Sequence, residues 1–101
     1  FLLEYNEPKI FMLAEIQCGS KQIADSLYTL LKSGGDFFKL AEQNSIAPSR
    51  ANKGVVGEIN IYRYPKDVWS EIAKLKPGEI TPPLPYGRIY AIFKRLPDST
   101  L

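Results

Sequence analysis

The run Lys9 to Gln17 is almost continuously apolar and is followed by Gly19-Ser20, a length and density that predict a strand covered on both faces. From Ser20, a good N-cap, Ile23, Leu27, Leu30 and Leu31 fall on one helical stripe, which predicts a helix over 20–33 that stops at Ser33-Gly34-Gly35. Asp36 can cap a second helix at once, over 36–44, with Phe37, Leu40 and Ala41 inward. Pro48, Ser49 and Asn52 predict a loop, and Gly54 to Ile59 a short strand. Tyr62 to Pro65 turns the chain into a third helix over 66–75, whose apolar face is Val68, Ile72 and Leu75 and whose end is set by Pro77-Gly78. Glu79 to Thr81 suits a brief edge strand before the prolines at 82, 83 and 85, which cannot donate ladder hydrogen bonds. Arg88 to Leu96 then alternates as a closing strand should.

This order, without repeats or low-complexity tracts, predicts an α+β fold built as one layer pair. Its 101 residues suffice for one modest core. The opening Phe1 to Glu7 reads as the tail of a preceding segment, residues 8–97 as the domain, and 98–101 as a C-terminal tail. The chain begins at Phe1, as a piece of a longer protein would, so flanking domains are expected.

Composition removes several kinds of chemistry. Thirteen basic and eleven acidic residues are spread without a basic block, so nucleic acid is not an expected partner. A single cysteine, Cys18, and no histidine leave neither an internal disulfide nor an ordinary metal site or catalytic triad, and no cofactor is called for. No apolar run is long enough to span a membrane.

Several segments taken together resemble the parvulin type of peptidyl-prolyl isomerase, or rotamase. Asp36-Phe37-Phe38-Lys39-Leu40-Ala41 followed by Ser45 is similar to the family's D-F-x-x-L-A-x-x-x-S helix, and Gly54-Val-Val-Gly57 to the G-x-x-G of its second strand. Leu75-Lys-Pro-Gly-Glu-Ile80 followed by Pro83 resembles its L-x-x-G-E-I-x-x-P turn, and Tyr86-Gly87 precedes a terminal strand as in the family. The segments cover about Lys9 to Leu96. The resemblance implies a four-stranded, mainly antiparallel sheet with the first and last long strands adjacent at its centre, surrounded by three to four helices. Each segment has a sufficient architectural cause in core packing, backbone freedom or turn formation, and so identifies a fold without supplying chemistry.

Family members hold an X-Pro bond in a shallow groove floored by two histidines beside a cysteine or aspartate, with apolar side chains gripping the proline. Carried onto this chain, the resemblance puts Glu15 at the first-strand histidine, Ile89 at the last-strand histidine, with Tyr90 as the alternative register, and Ala47 at the cysteine or aspartate position. The polar cluster of the family is therefore missing. The gripping wall falls on Tyr64, Val68 and Val56. Glu15 has a plainer reading as a partly exposed strand carboxylate, or one paired with Arg88 or Lys94 across the sheet, beside its reading as a groove carboxylate. Trp69 suits helix packing as well as groove lining, and the tyrosines are the better recognition candidates. Only Cys18-Gly-Ser-Lys21 joins the first strand to its helix, where phosphate-selecting relatives have a long basic loop, so no phosphate selectivity is expected.

Two functions follow from the resemblance. One is an isomerase that assists protein folding, with activity weakened or lost for want of the histidines. The other is a noncatalytic peptide-binding chaperone module of a larger foldase. Both expect proline-containing or unfolded polypeptide segments as partners and no metal, with the bacterial cell envelope as the default compartment.

Overall fold

The computed structural model describes residues 9–97. The expected loose packing of Phe1 to Glu7 and the tail at 98–101 lie outside the described residues. Strand β1 (Ile10–Cys18) leads to helix α1 (Lys21–Lys32), helix α2 (Phe37–Asn44) and a 3-10 turn (Pro48–Asn52). Strand β2 (Val55–Asn60) is followed by a 3-10 turn (Ile61–Arg63), helix α3 (Lys66–Ile72), strand β3 (Leu84–Tyr86) and strand β4 (Ile89–Arg95). The four strands form one antiparallel sheet in the order β2-β1-β4-β3, so the first and last strands lie side by side at its centre. The α+β architecture expected from the sequence is the one the chain adopts.

Strand periodicity divides the core. On one face of the sheet Phe11, Leu13, Ala91 and Phe93 meet Ile61, Val68 and Ile72 from α3 and the turn before it. On the other, Ala14, Ile16, Cys18 and Ile92 meet Ala24 and Leu27 of α1 and Phe37 and Ala41 of α2. Both faces of the central strands are thus dry, which is why β1 reads as a continuous apolar run. The edge strands are shorter, and β3 tolerates Pro85 because its missing N–H lies on a strand with a partner on one side only.

The helices start where the sequence marks them. Ser20 Oγ accepts from Ile23 N at 3.2 Å, and Asp36 Oδ1 accepts from Phe38 N at 3.0 Å, each occupying an N–H that the first helical turn leaves without a partner. Three expectations need correction. The stripe of α1 is turned from the expected one: Ala24 and Leu27 are buried, while Ile23 and Leu30 stand 49% and 51% exposed. The helix meets the sheet through Ala24, Leu27, Tyr28 and Leu31, an equally regular helical set that includes a small residue where the backbone approaches β1 and β4. Glu79 to Thr81 makes only a single bridge, Ile80 to Lys94, because the following prolines cut the ladder; the true edge strand is Leu84–Tyr86. The third helix ends at Ile72, with Leu75 buried just beyond it.

The rotated face of α1 gives a direct test. Leu27→Ala should lower stability by about 2–5 kcal/mol and Leu30→Ala by less than about 1 kcal/mol, read from urea midpoints at unchanged m. Equal losses at the two positions would contradict this packing.

Candidate functional site

The sheet ladder between β1 and β2 stops at Ala14, after a bulge that leaves Val56 as the extra residue opposite the Leu13–Ala14 step. Beyond it, the backbone of β1 is bonded on that edge by a loop. Glu15 N donates to Gly54 O at 2.8 Å, Gln17 N donates to Ser45 Oγ at 3.1 Å, and Gln17 O accepts from Ile46 N at 2.8 Å. The loop is closed on itself by Gly54 N donating to Ser49 O at 2.8 Å. Lys53 and Gly54 adopt φ of 57° and 86°, and a Cβ at Gly54 would stand 2.6 Å from Glu15 O and 2.8 Å from the Ala41 Cβ. Only glycine fits that approach.

This turn delivers Ser49 to Glu15. The Glu15 side chain, 8% exposed, accepts from Ser49 Oγ at 2.7 Å and from Gln17 Nε2 at 3.1 Å. The expected pairing with Arg88 or Lys94 is not made. Strand alternation turns Lys94 to the opposite face, where its Nζ stands over the Phe37 and Phe38 rings, and Arg88 is exposed just before β4. Among the described residues no cation lies within ion-pair distance of Glu15. Its charge is held by hydrogen bonds from neutral groups, the arrangement a buried carboxylate requires.

Glu15 faces Phe93 across the central pair, and Phe93 anchors an aromatic group. Tyr64 meets Phe93 at 5.2 Å and Tyr86 at 6.0 Å, and Tyr86 meets Phe93 at 6.3 Å, all edge to face. Phe93 is wholly buried, whereas Tyr64 and Tyr86 keep part of their surface open. Burial pushes the Tyr64 phenol up to about 12, the nearby Glu15 and Tyr86 add to the rise, and Arg63 opposes it. Tyr64 is therefore a neutral hydroxyl at physiological pH. The site is a buried carboxylate near the half-open Tyr64 phenol, whose ring packs against Tyr86.

The other positions singled out in the sequence fall at varied distances from this centre. Ile89 lies on the Glu15 face, but the Gln17–Ala91 pair intervenes between it and the Glu15–Phe93 pair. Ala47 is buried beside the Gln17 end of the loop, its N–H donating to Ser45 Oγ at 3.3 Å. Val68 is 1% exposed inside the core below the aromatic rings. Tyr90 pairs with Cys18 on the opposite face and packs with the α1 and α2 core, so it does not join the site. Trp69 stacks edge to face on Tyr62 at 4.8 Å against the α3 side of the core. Tyr86 was a candidate only as one of the recognition tyrosines, and Ser49 and Gln17 were not among the candidates. Gln17 carried a signal, being two residues from Glu15 on one strand, whereas Ser49 depends on the turn at Gly54.

The rotamase family described as the PPIC-type PPIase domain matches residues 2–96. The chaperone SurA of Burkholderia orbicola is 38% identical over 71 residues, which cover 70% of this chain and 16% of that protein. The parvulin of Nitrosopumilus maritimus superposes with a TM-score of 0.74 at 27% identity, over 90% of this chain and 99% of that one. The peptidylprolyl isomerase PrsA of Bacillus cereus superposes with a TM-score of 0.87 at 24% identity, over 98% of this chain and 39% of that one. The chain belongs to the PPIC-type peptidyl-prolyl isomerase domain family, the parvulin rotamases. It spans only 16–17% of the length of the SurA chaperones it matches.

Two outcomes test the site. Gly54→Ala should cost about 2–4 kcal/mol of stability, combining a positive φ with a backbone clash, and should exceed the loss in Ser49→Ala, about 1–3 kcal/mol for one hydrogen bond to a buried charge. Because the folded Tyr64 holds its proton more tightly than an unfolded tyrosine near 10, its share of stability is whole below pH 10 and is lost as pH rises towards about 12. Stability measured from pH 9 to 12 should therefore fall less steeply in Tyr64→Phe than in the native chain.

Proposed function

We propose that this domain binds proline-containing segments of unfolded polypeptides and isomerises X-Pro bonds slowly. The observation that carries the proposal is the buried Glu15 carboxylate, without an ion-pair partner among the described residues, near the half-open Tyr64 ring that packs against Tyr86. A planar X-Pro amide keeps its double-bond character by drawing negative charge onto the carbonyl oxygen, and rotation faces about 18–20 kcal/mol because that resonance is lost. A carboxylate held near the carbonyl oxygen raises the planar form more than the twisted one, in which the oxygen carries less charge, and so lowers the barrier. The phenol rings supply a flat apolar seat for the pyrrolidine ring. Glu15, Tyr64 and Tyr86 form the working centre in this reading, Phe93 and Val68 support the rings from below, and Ala47, Ile89 and Val56 border the groove.

Slowness follows from the hydrogen-bond inventory. The single hydroxyl proton of Ser49 and one amide proton of Gln17 are committed to Glu15, which leaves few donors for the proline nitrogen as its lone pair localises. That same observation supports a second reading, in which the groove holds client segments without turning them over, as a peptide-binding chaperone module. The partial length of the match to SurA, a chaperone, fits either role as one domain of a longer foldase.

NMR titration with an Ala-Pro tetrapeptide should shift the amides of Glu15, Gln17, Tyr64 and Tyr86, with weak affinity because a shallow groove buries little surface and orders a flexible ligand. Exchange spectroscopy should detect cis/trans turnover that falls about tenfold in Glu15→Gln while peptide affinity is retained. Binding without turnover selects the chaperone reading, and no binding at these residues overturns both.

A further inference from the structure

At the edge of the sheet beside β4 lies a cleft of about 490 Å³ between the C-terminal ends of α1 and α3 and the 78–82 segment. None of Glu15, Gln17, Tyr64 and Tyr86 lines it, and Lys94, which does, opposes Ala14 and so points to the face opposite Glu15. Its floor is apolar, from Leu31, Phe37, Leu75 and Ile80. Charged groups rim it unequally. Glu71 is bonded to Lys74 at 3.1 Å, and Glu79 Oε1 accepts from Lys76 N at 2.7 Å, so both acids are engaged. Lys32 and Lys94 have no carboxylate within ion-pair distance among the described residues. Their ammonium groups rest over aromatic rings instead, Lys32 at 5.8 Å from Tyr28 and the half-buried Lys94 at 5.9 Å from Phe37 and Phe38. A ring face holds an ammonium more weakly than an anion does, so both remain available to a negative ligand.

The backbone adds a second feature. Ile80 and Lys94 form the open pair between two hydrogen-bonded positions, Thr81 N donating to Phe93 O and Arg95 N to Glu79 O. In an antiparallel ladder this turns the Ile80 N–H and C=O away from β4, towards the free edge of the sheet. An extended chain laid along that edge can pair with Ile80, but Pro82 and Pro83 stop the pairing from running on. We propose that this cleft is a second peptide site, which takes a short extended polypeptide segment carrying acidic side chains beside apolar ones. The carboxylates meet Lys32 and Lys94, the apolar side chains rest on Phe37 and Ile80, and no proline is required.

The test uses this chain and two blocked, proline-free hexapeptides, one alternating Glu with Leu and one alternating Lys with Leu. In ¹H–¹⁵N spectra the glutamate peptide should shift the amides of Lys32, Phe37, Ile80 and Lys94 and leave those of Glu15, Gln17 and Tyr64 in place. Lys94→Gln should weaken its binding about three- to tenfold, and so should the exposed Lys32→Glu, which keeps the test valid if the buried-side variant perturbs the fold. Equal shifts from the lysine peptide would reduce the cleft to a nonselective apolar surface and overturn the proposal. So would shifts confined to the Glu15 face, or an affinity indifferent to both substitutions. Because the peptides lack proline and the Glu15 face is read separately, failure here leaves the isomerase reading standing, and the reverse also holds.

Discussion

Everything that gives this domain a site depends on how the second half of β1 is hydrogen-bonded along the edge that β2 leaves. A central strand cannot leave buried N–H and C=O groups without partners, and β2 stops pairing at Ala14. The loop from Ser45 to Gly54 takes over, offering a serine hydroxyl, an amide and a glycine carbonyl at the positions a strand would have filled. A real strand would have carried its own alternating side chains past Glu15. The loop instead sets one small hydroxyl on the carboxylate, and the geometry that allows it is the left-handed step at Lys53-Gly54.

That substitution explains how a carboxylate is kept in the nearly dry second half of β1. An ionised side chain in a nearly dry setting needs a compensating cation or several hydrogen bonds. Here the compensation comes from Ser49 and Gln17, both neutral, and no cation among the described residues offsets the carboxylate. Its effect is visible at Tyr64, whose phenol is held protonated well into the alkaline range, partly by this charge. Burial of the Tyr64 ring is the larger cause, and it comes from the same packing on Phe93 that gives the aromatic group its shape.

Much of the fold is legible in the sequence because its causes are local. Ser20 and Asp36 cap the helices they precede, the dense apolar run of β1 announces a strand with two dry faces, and glycines and prolines mark the ends. What is not legible depends on orientation or on long-range partners. The α1 stripe was ambiguous because Ile23-Leu30 and Ala24-Leu27-Leu31 are both helical sets, and only the neighbouring sheet decides between them. Glu15 was legible as a position in a family pattern, yet its partner Ser49 lies 34 residues away and arrives only through a turn whose geometry no periodicity encodes. Tyr90 and Ile89 show the converse: adjacent residues in a strand face opposite ways, so an uncertainty of one position in register exchanges a residue of the Glu15 face for one in the other core.

The pairing of β1 with β4 also bears on biosynthesis. The two central strands lie near opposite ends of the described chain, so the middle of the sheet cannot close while β4 is still inside the ribosome. Until then the α1 and α2 face of β1 has lost half of its platform, and the loop that cradles Glu15 docks on a strand with no neighbour on its other side. The longest apolar strand of the domain thus waits, through the synthesis of every helix between them, for the partner that completes its sheet.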